Sequence, residues 1–175
     1  WEALLDRRAD LLVGVAGDGP AGGGYVSEPI GKVEFVFAVA PSHPLAAVEG
    51  VINDAPLRAF PAINIEDTSR NLTKRVAWLL SGQKEIKVPD MQTKLQCHIT
   101  GVGVGFLPRN VCQPWLDNGS LIAKEVENRR QPSPLSLAWS KERDGKAVSE
   151  IVTLFRHQES CVKGFLNNID RPPAL

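Results

Sequence analysis

The densest run of chemically suggestive residues is Gly101-Val-Gly103-Val-Gly105, whose spacing invites a dinucleotide reading. That fingerprint needs a strand before its glycines and a helix after them, so that the helix N-terminus meets the pyrophosphate. Here the order is reversed: residues 92–100 have helical spacing, and residues 102–107 read as a strand. Gly101 therefore reads as a helix C-cap and the later glycines as points of close backbone approach. A second glycine-rich stretch, residues 17–24, lacks the Gly-Lys-Ser/Thr ending of a phosphate loop and leads into a strand, so it reads as a flexible connector.

Nucleophiles and metal ligands are equally sparse. No Gly-x-Ser-x-Gly elbow is present to expose a serine. His98 has no Cys or His one helical turn away, and His157 reads as a surface residue at a helix end. Cys97, Cys112 and Cys161 are widely spaced, without a Cys-x-x-Cys pair. They read as free thiols of a reducing compartment, a redox pair being the alternative. Trp78, Trp115 and Trp139 are too dispersed for a base-stacking platform and read as packing residues. No catalytic set, metal or cofactor is expected. Two polar clusters remain, each between a strand and a helix: Asp67-Thr68-Ser69 and Asp90-Met91-Gln92. Both suit helix capping, and both suit holding a carboxylate or amide against free backbone N–H groups.

Composition narrows the partners. Twenty basic and twenty acidic residues cancel, whereas a domain gripping phosphate backbones carries a basic excess, so this segment is not expected to touch DNA itself. The apolar run at 33–40 contains a glutamate and is too short to span a bilayer. Asn71 and Asn118 open glycosylation sequons that read as chance matches without a secretory signal. The expectation is a soluble, cytoplasmic domain with no membrane partner. Trp1, Leu4 and Leu5 open the chain in mid-helix spacing with no cap and no methionine, so it reads as part of a longer protein.

The elements that would position the polar clusters follow from periodicity. The apolar run at 9–15 reads as a strand covered on both faces, and 32–40 as a strand with alternating small or polar residues. From 53 onward short helices and strands alternate: helix 54–59, strand 62–65, a helix striped by Leu72, Val76, Leu79 and Leu80, and strand 86–88. They continue with helix 92–100, strand 102–107, helix 110–116 and strand 121–126. Strand 135–139 and a helix reaching about His157 close the pattern. Such alternation predicts an α/β fold of mostly parallel sheets flanked by helices. Interruptions near 41–52 and 127–134 predict a middle lobe, 43–131, inserted into an outer lobe built from 1–42 and 132–175. Two crossing connections between lobes predict a hinged cleft, with ligands at strand carboxyl ends.

Three motifs in order resemble the effector domains of LysR-type transcriptional regulators: WEALLDRRADLLVG at 1–14, APSHPLA at 40–46 and TGVGVGFLP at 100–108. FPAINIED at 60–67, LTKRVAW at 72–78, GQKEI at 82–86, VPDM at 88–91 and PSPLSLAW at 132–139 look like the branch that activates allantoin-utilisation operons. The resemblance implies a two-lobed fold like type 2 periplasmic binding proteins and an effector cleft between lobes. It also implies homodimers or homotetramers, and DNA contact only through a winged helix-turn-helix that is not in this chain. The family's first strand, first helix and second strand precede the motif at Trp1, and without them the flank of Leu11, Leu12 and Val13 is expected to be uncovered. The effector residues it suggests are Val15, Ala16 and Ala40 from the outer lobe, with Asp67, Thr68, Ser69, Met91, Gln92, Gly103 and Phe106 from the middle one. Some relatives carry an arginine near Val15 for acidic effectors; valine here leans toward a small polar, ureide-like ligand. The alternatives are a transporter's free-standing solute-binding protein, marked by a signal peptide, and a small α/β enzyme, which would need the nucleophile, metal set or phosphate loop this sequence lacks.

Overall fold

The computed structural model describes residues 1–17, 19–67, 78–142 and 145–157, with 162, 164 and 166. In chain order the elements are α1 (Glu2–Leu5), β1 (Leu11–Ala16), β2 (Tyr25–Val33), β3 (Phe35–Val39), a 3-10 turn (Pro44–Ala47), α2 (Asp54–Leu57), β4 (Ala62–Ile65) and β5 (Glu85–Val88). They continue with α3 (Met91–Ile99), β6 (Phe106–Pro108), α4 (Arg109–Asp117), β7 (Ile122–Lys124), β8 (Ser133–Ser140) and α5 (Lys146–His157). The described residues form two compact units, one from 1–33 and 132–166, the other from 34–67 and 78–131.

In the first unit β8 lies between β1 and β2 and runs antiparallel to both. Residue Ala16 pairs with Leu135 and Val33 with Ser133, so β1 and β2 both point toward the end where the chain leaves and returns. No described pairing here is parallel, against the expectation. The strand returning from the second unit slots in between β1 and β2, and that removes the need for a helical crossover. β1 has one neighbour among the described residues, which is why its apolar run is half-buried rather than covered; Val13 is 37% exposed. Amphipathic α5 packs Val148 and Val152 on Leu137 and Trp139, while Ile151 and Leu154 face solvent. Arg156 clamps α5 to β2 through both oxygens of Glu28.

The expected strand 32–40 is two strands, broken at Glu34. Residues 34–42, expected with the outer segments, pack in the second unit because β3 finds both its partners, β6 and β7, there. β4 and β5 pair in parallel, and parallel bridges tie Ala62 to Val104 and Ile52 to Val126. Since β6 and β7 both oppose β3, every other strand of this unit runs one way and β3 alone runs the other. Its core gathers Phe37, Val39, Leu45, Ile52, Leu57, Val104, Phe106 and Val126. Burial of that many large apolar side chains is the main stabilising term, at about 1.5–3 kcal/mol each. Buried Gln83 closes one side, donating to the carbonyls of Leu57 and Phe60 and accepting from the Leu80 amide. Of the helix expected around Leu72 to Leu80, residues 68–77 lie outside the described residues and 78–80 are not helical.

Candidate functional site

Strand direction sorts the candidate residues of the second unit onto two ends. β6 runs toward Phe35, where Pro108 pairs, and β4 is parallel to that path through Val104. The carboxyl ends of β4 and β5 therefore lie beside the start of β3, where the chain enters at Glu34 and leaves at Gln131. We call this the crossover end. Asp67 follows β4 here, and the Glu66 amide donates to Val88 at the end of β5, tying the two loops together. Asp90 caps α3 by accepting from the Thr93 amide at 2.7 Å, and that hydrogen bond holds its carboxyl below the usual carboxylate range. Met91 is half-buried and Gln92 exposed in the first turn. Thr68 and Ser69 lie outside the described residues.

Ala40 lies at the opposite end. β3 is the reversed strand, so its carboxyl terminus points away from those of β4 and β5, a correction to the expectation that all strand ends converge. Beside Ala40 the α3 helix stops, with Gly101 in the left-handed region (φ 71°) and the place of a Gly101 Cβ 3.5 Å from Ala40 Cβ. Gly103 is held by packing: a Cβ there would collide with the Pro61 carbonyl oxygen. Phe106 is 3% exposed in the core, edge-on to Phe37 and Trp78. In the first unit Val15 and Ala16, both half-buried, lie at the end where that unit's connections run. A cavity of about 220 Å³ between β2 and α5 is lined by Glu28, Leu137, Phe155 and Arg156, none of them among the expected site residues.

The strongest electrostatics of the second unit lie on α3 and beside it. Lys94, in the second turn of α3, is 5% exposed. Burial first, and the Arg130 charge second, bring its ammonium pKa down to about 8. Arg130, itself lowered by burial, lies with its guanidinium carbon 3.7 Å above the Phe35 ring. His98 is fully buried, its Nδ1 2.8 Å from the Ala38 carbonyl oxygen, and burial drives its pKa down to about 4. Desolvation also lowers His43. The signal for Lys94 was available: Met91, Lys94, Leu95 and His98 form an i, i+3, i+4, i+7 stripe, and a lysine on such a stripe is buried or partnered.

Among the described residues no cluster of three metal-ligating side chains occurs and no helix is long and apolar enough to cross a membrane. The Cys112 thiol is buried and raised to about 11, while Cys97 is half-buried. Cys161 lies outside the described residues.

Against known proteins, residues 1–160 match the LysR substrate binding domain family. The transcriptional activator AllS of Salmonella typhimurium is 48% identical over 95% of this chain, which spans 54% of that protein. The regulatory domain of MetR from N. meningitidis superposes with a TM-score of 0.63 at 20% identity, over 94% of this chain and 77% of that one. The effector binding domain of QuiR, solved with shikimate, gives 0.62 at 17% identity over 88% and 73%. The last two share the fold, that of LysR effector domains and periplasmic binding proteins. AllS is named as a regulator, neither an enzyme nor a transporter's solute-binding protein.

Proposed function

The chain belongs to the LysR substrate-binding domain family, and from that premise we propose that it is the effector-sensing part of a cytoplasmic DNA-binding activator of allantoin catabolism. The observation that carries this reading is the 48% identity to AllS across nearly the whole chain. In this reading residues 1–42 with 132–175 and 43–131 supply two lobes, adjusted to a crossing at Val33–Glu34, and the ligand is a small polar metabolite of the allantoin pathway. Val15, Ala16, Asp67, Thr68, Ser69, Met91 and Gln92 are the proposed contacts. In its favour, the described members of this set end strands or begin a helix at the crossover end of their own unit. Ala40, Gly103 and Phe106 drop out of it.

Ligand binding favours one arrangement of the lobes by its differential affinity, typically about 1–3 kcal/mol of coupling. That bias reaches DNA through a separate winged helix-turn-helix in a homodimer or homotetramer. The test is thermal denaturation of the full-length regulator with allantoin, allantoate, ureidoglycolate, glyoxylate and oxamate. A ligand at 100 times its Kd adds about 2.7 kcal/mol. Unchanged melting with all five refutes the proposal.

A further inference from the structure

The second unit holds a lysine that is largely buried and has no acidic partner among the described residues. Lys94 is 5% exposed, and among the described residues no hydrogen bond or ion pair engages its ammonium. Arg130 is likewise without an acidic partner; its recorded contact is the face of Phe35. Its neighbour Arg129, by contrast, is paired with Glu125 at the surface.

The two cations are close enough for the Arg130 charge to act on Lys94. α3 runs alongside β3 in the same direction, with His98 on Ala38 and Gly101 beside Ala40. Four helical residues rise about 6 Å, or about two strand residues, so Lys94 stands level with Val36, next to the Phe35 that Arg130 covers. Helical side chains lean toward the N-terminus, which carries Lys94 toward the first turn of α3, where free N–H groups add partial positive charge. Asp90 keeps its negative charge while it accepts from the Thr93 amide, so attraction for an anion here rests on the two side-chain cations.

Resting on the effector-sensing reading above, we infer that Lys94 and Arg130, with the first turn of α3, form the carboxylate-binding part of the effector site. The effector is then a small carboxylate rather than an uncharged ureide. A bound anion would compensate the desolvation of the Lys94 side chain, which has no acidic partner among the described residues.

The test follows denaturation midpoints of the full-length regulator at constant ionic strength, with oxamate, allantoate or uncharged allantoin as probe. The parent is stabilised by a carboxylate probe more than by allantoin. Lys94→Met is more stable than the parent without ligand and has an apparent Kd for that carboxylate weakened about 10- to 100-fold, the value of a lost charge-assisted hydrogen bond. Arg130→Gln weakens the same affinity without needing to stabilise, which covers a Lys94→Met protein that does not fold; Arg129→Gln leaves it unchanged. Stabilisation by allantoin alone, or undiminished carboxylate affinity in Lys94→Met or Arg130→Gln, overturns this inference while leaving effector sensing intact. No response to any probe overturns both.

Discussion

Acidification tests the burial of His98 directly. The ring is fully enclosed, with Nδ1 bound to the Ala38 carbonyl and Nε2 without a partner among the described residues, so the folded state holds the imidazole neutral. Its pKa falls from 6.5 to about 4 on folding. The unfolded chain thus binds more protons between those values, and stability present above pH 6.5 is lost as pH falls toward 4. At 1.36 kcal/mol per unit the full loss is about 3 kcal/mol, of which about 2 kcal/mol is lost by pH 5. His43, lowered by burial, adds in the same direction. The assay is urea denaturation at pH 7 and pH 5 at fixed salt, comparing the parent with His98→Gln, whose amide can still donate to Ala38 but does not titrate. At a slope near 2 kcal/mol/M the parent midpoint moves down by about 1 M more than that of the variant. Equal midpoint shifts in the two proteins, or an imidazole that titrates near pH 6.5 in NMR, refute the reasoning.

Gly103→Ala forces a methyl group against the Pro61 carbonyl and within 2.6 Å of Ile63 Cδ1, so melting should report a loss of about 1–3 kcal/mol; a neutral result contradicts the packing. Gln83→Leu strands two carbonyls and an amide in the second unit and costs about 2–3 kcal/mol by denaturant titration, whereas a surface-like loss under 0.5 kcal/mol would dismiss this network. Arg156→Ala removes a half-exposed ion pair with Glu28 and shifts stability by no more than about 1 kcal/mol, so a larger change would give the clamp on α5 a weight that solvent screening forbids. Ala40→Val should lower the melting temperature by overpacking yet leave effector affinity unchanged, while Gln92→Ala does the reverse; titration calorimetry beside melting separates them, and a common pattern for both would undo the division into two ends.

Local pattern was enough for elements whose signals are local. β4 occupies the expected 62–65, and α3 begins on its Asp90 cap and ends at Gly101, because capping and backbone strain act within a turn. Family membership was legible for a related reason: the motifs are strand ends and helix stops, whose residue types geometry restricts. The break at Glu34 was hidden, since 32–40 is a good strand throughout by composition and the interruption comes from partners drawn from two different units. Burial of β1 was overread because a continuous apolar run does not report how many neighbours a strand has. Lys94 sat on a readable stripe, but its lack of a counter-ion depends on which side chains the fold brings near, with Arg130 contributed from the far side of two intervening strands.

The direction of β3 is where these threads meet. Strand polarity decides which residues of a candidate set can share one small ligand, and polarity is a property of pairing rather than of the strand's own residues. From Phe35 to Ala40 the strand covers about 16 Å, longer than a small metabolite, so Ala40 and the Asp90-Met91-Gln92 turn do not meet on the same molecule. A wholly parallel sheet would have put Ala40 beside that turn and left Lys94 a solitary oddity in the helix. With β3 reversed, the strand contributes its start, Phe35, to the crossover end, and with Phe35 comes the Arg130 that covers it. The same reversal that removes Ala40 from the site thus brings a second cation to Lys94, at an end of the unit that also carries the carboxylates of Glu66, Asp67 and Asp90.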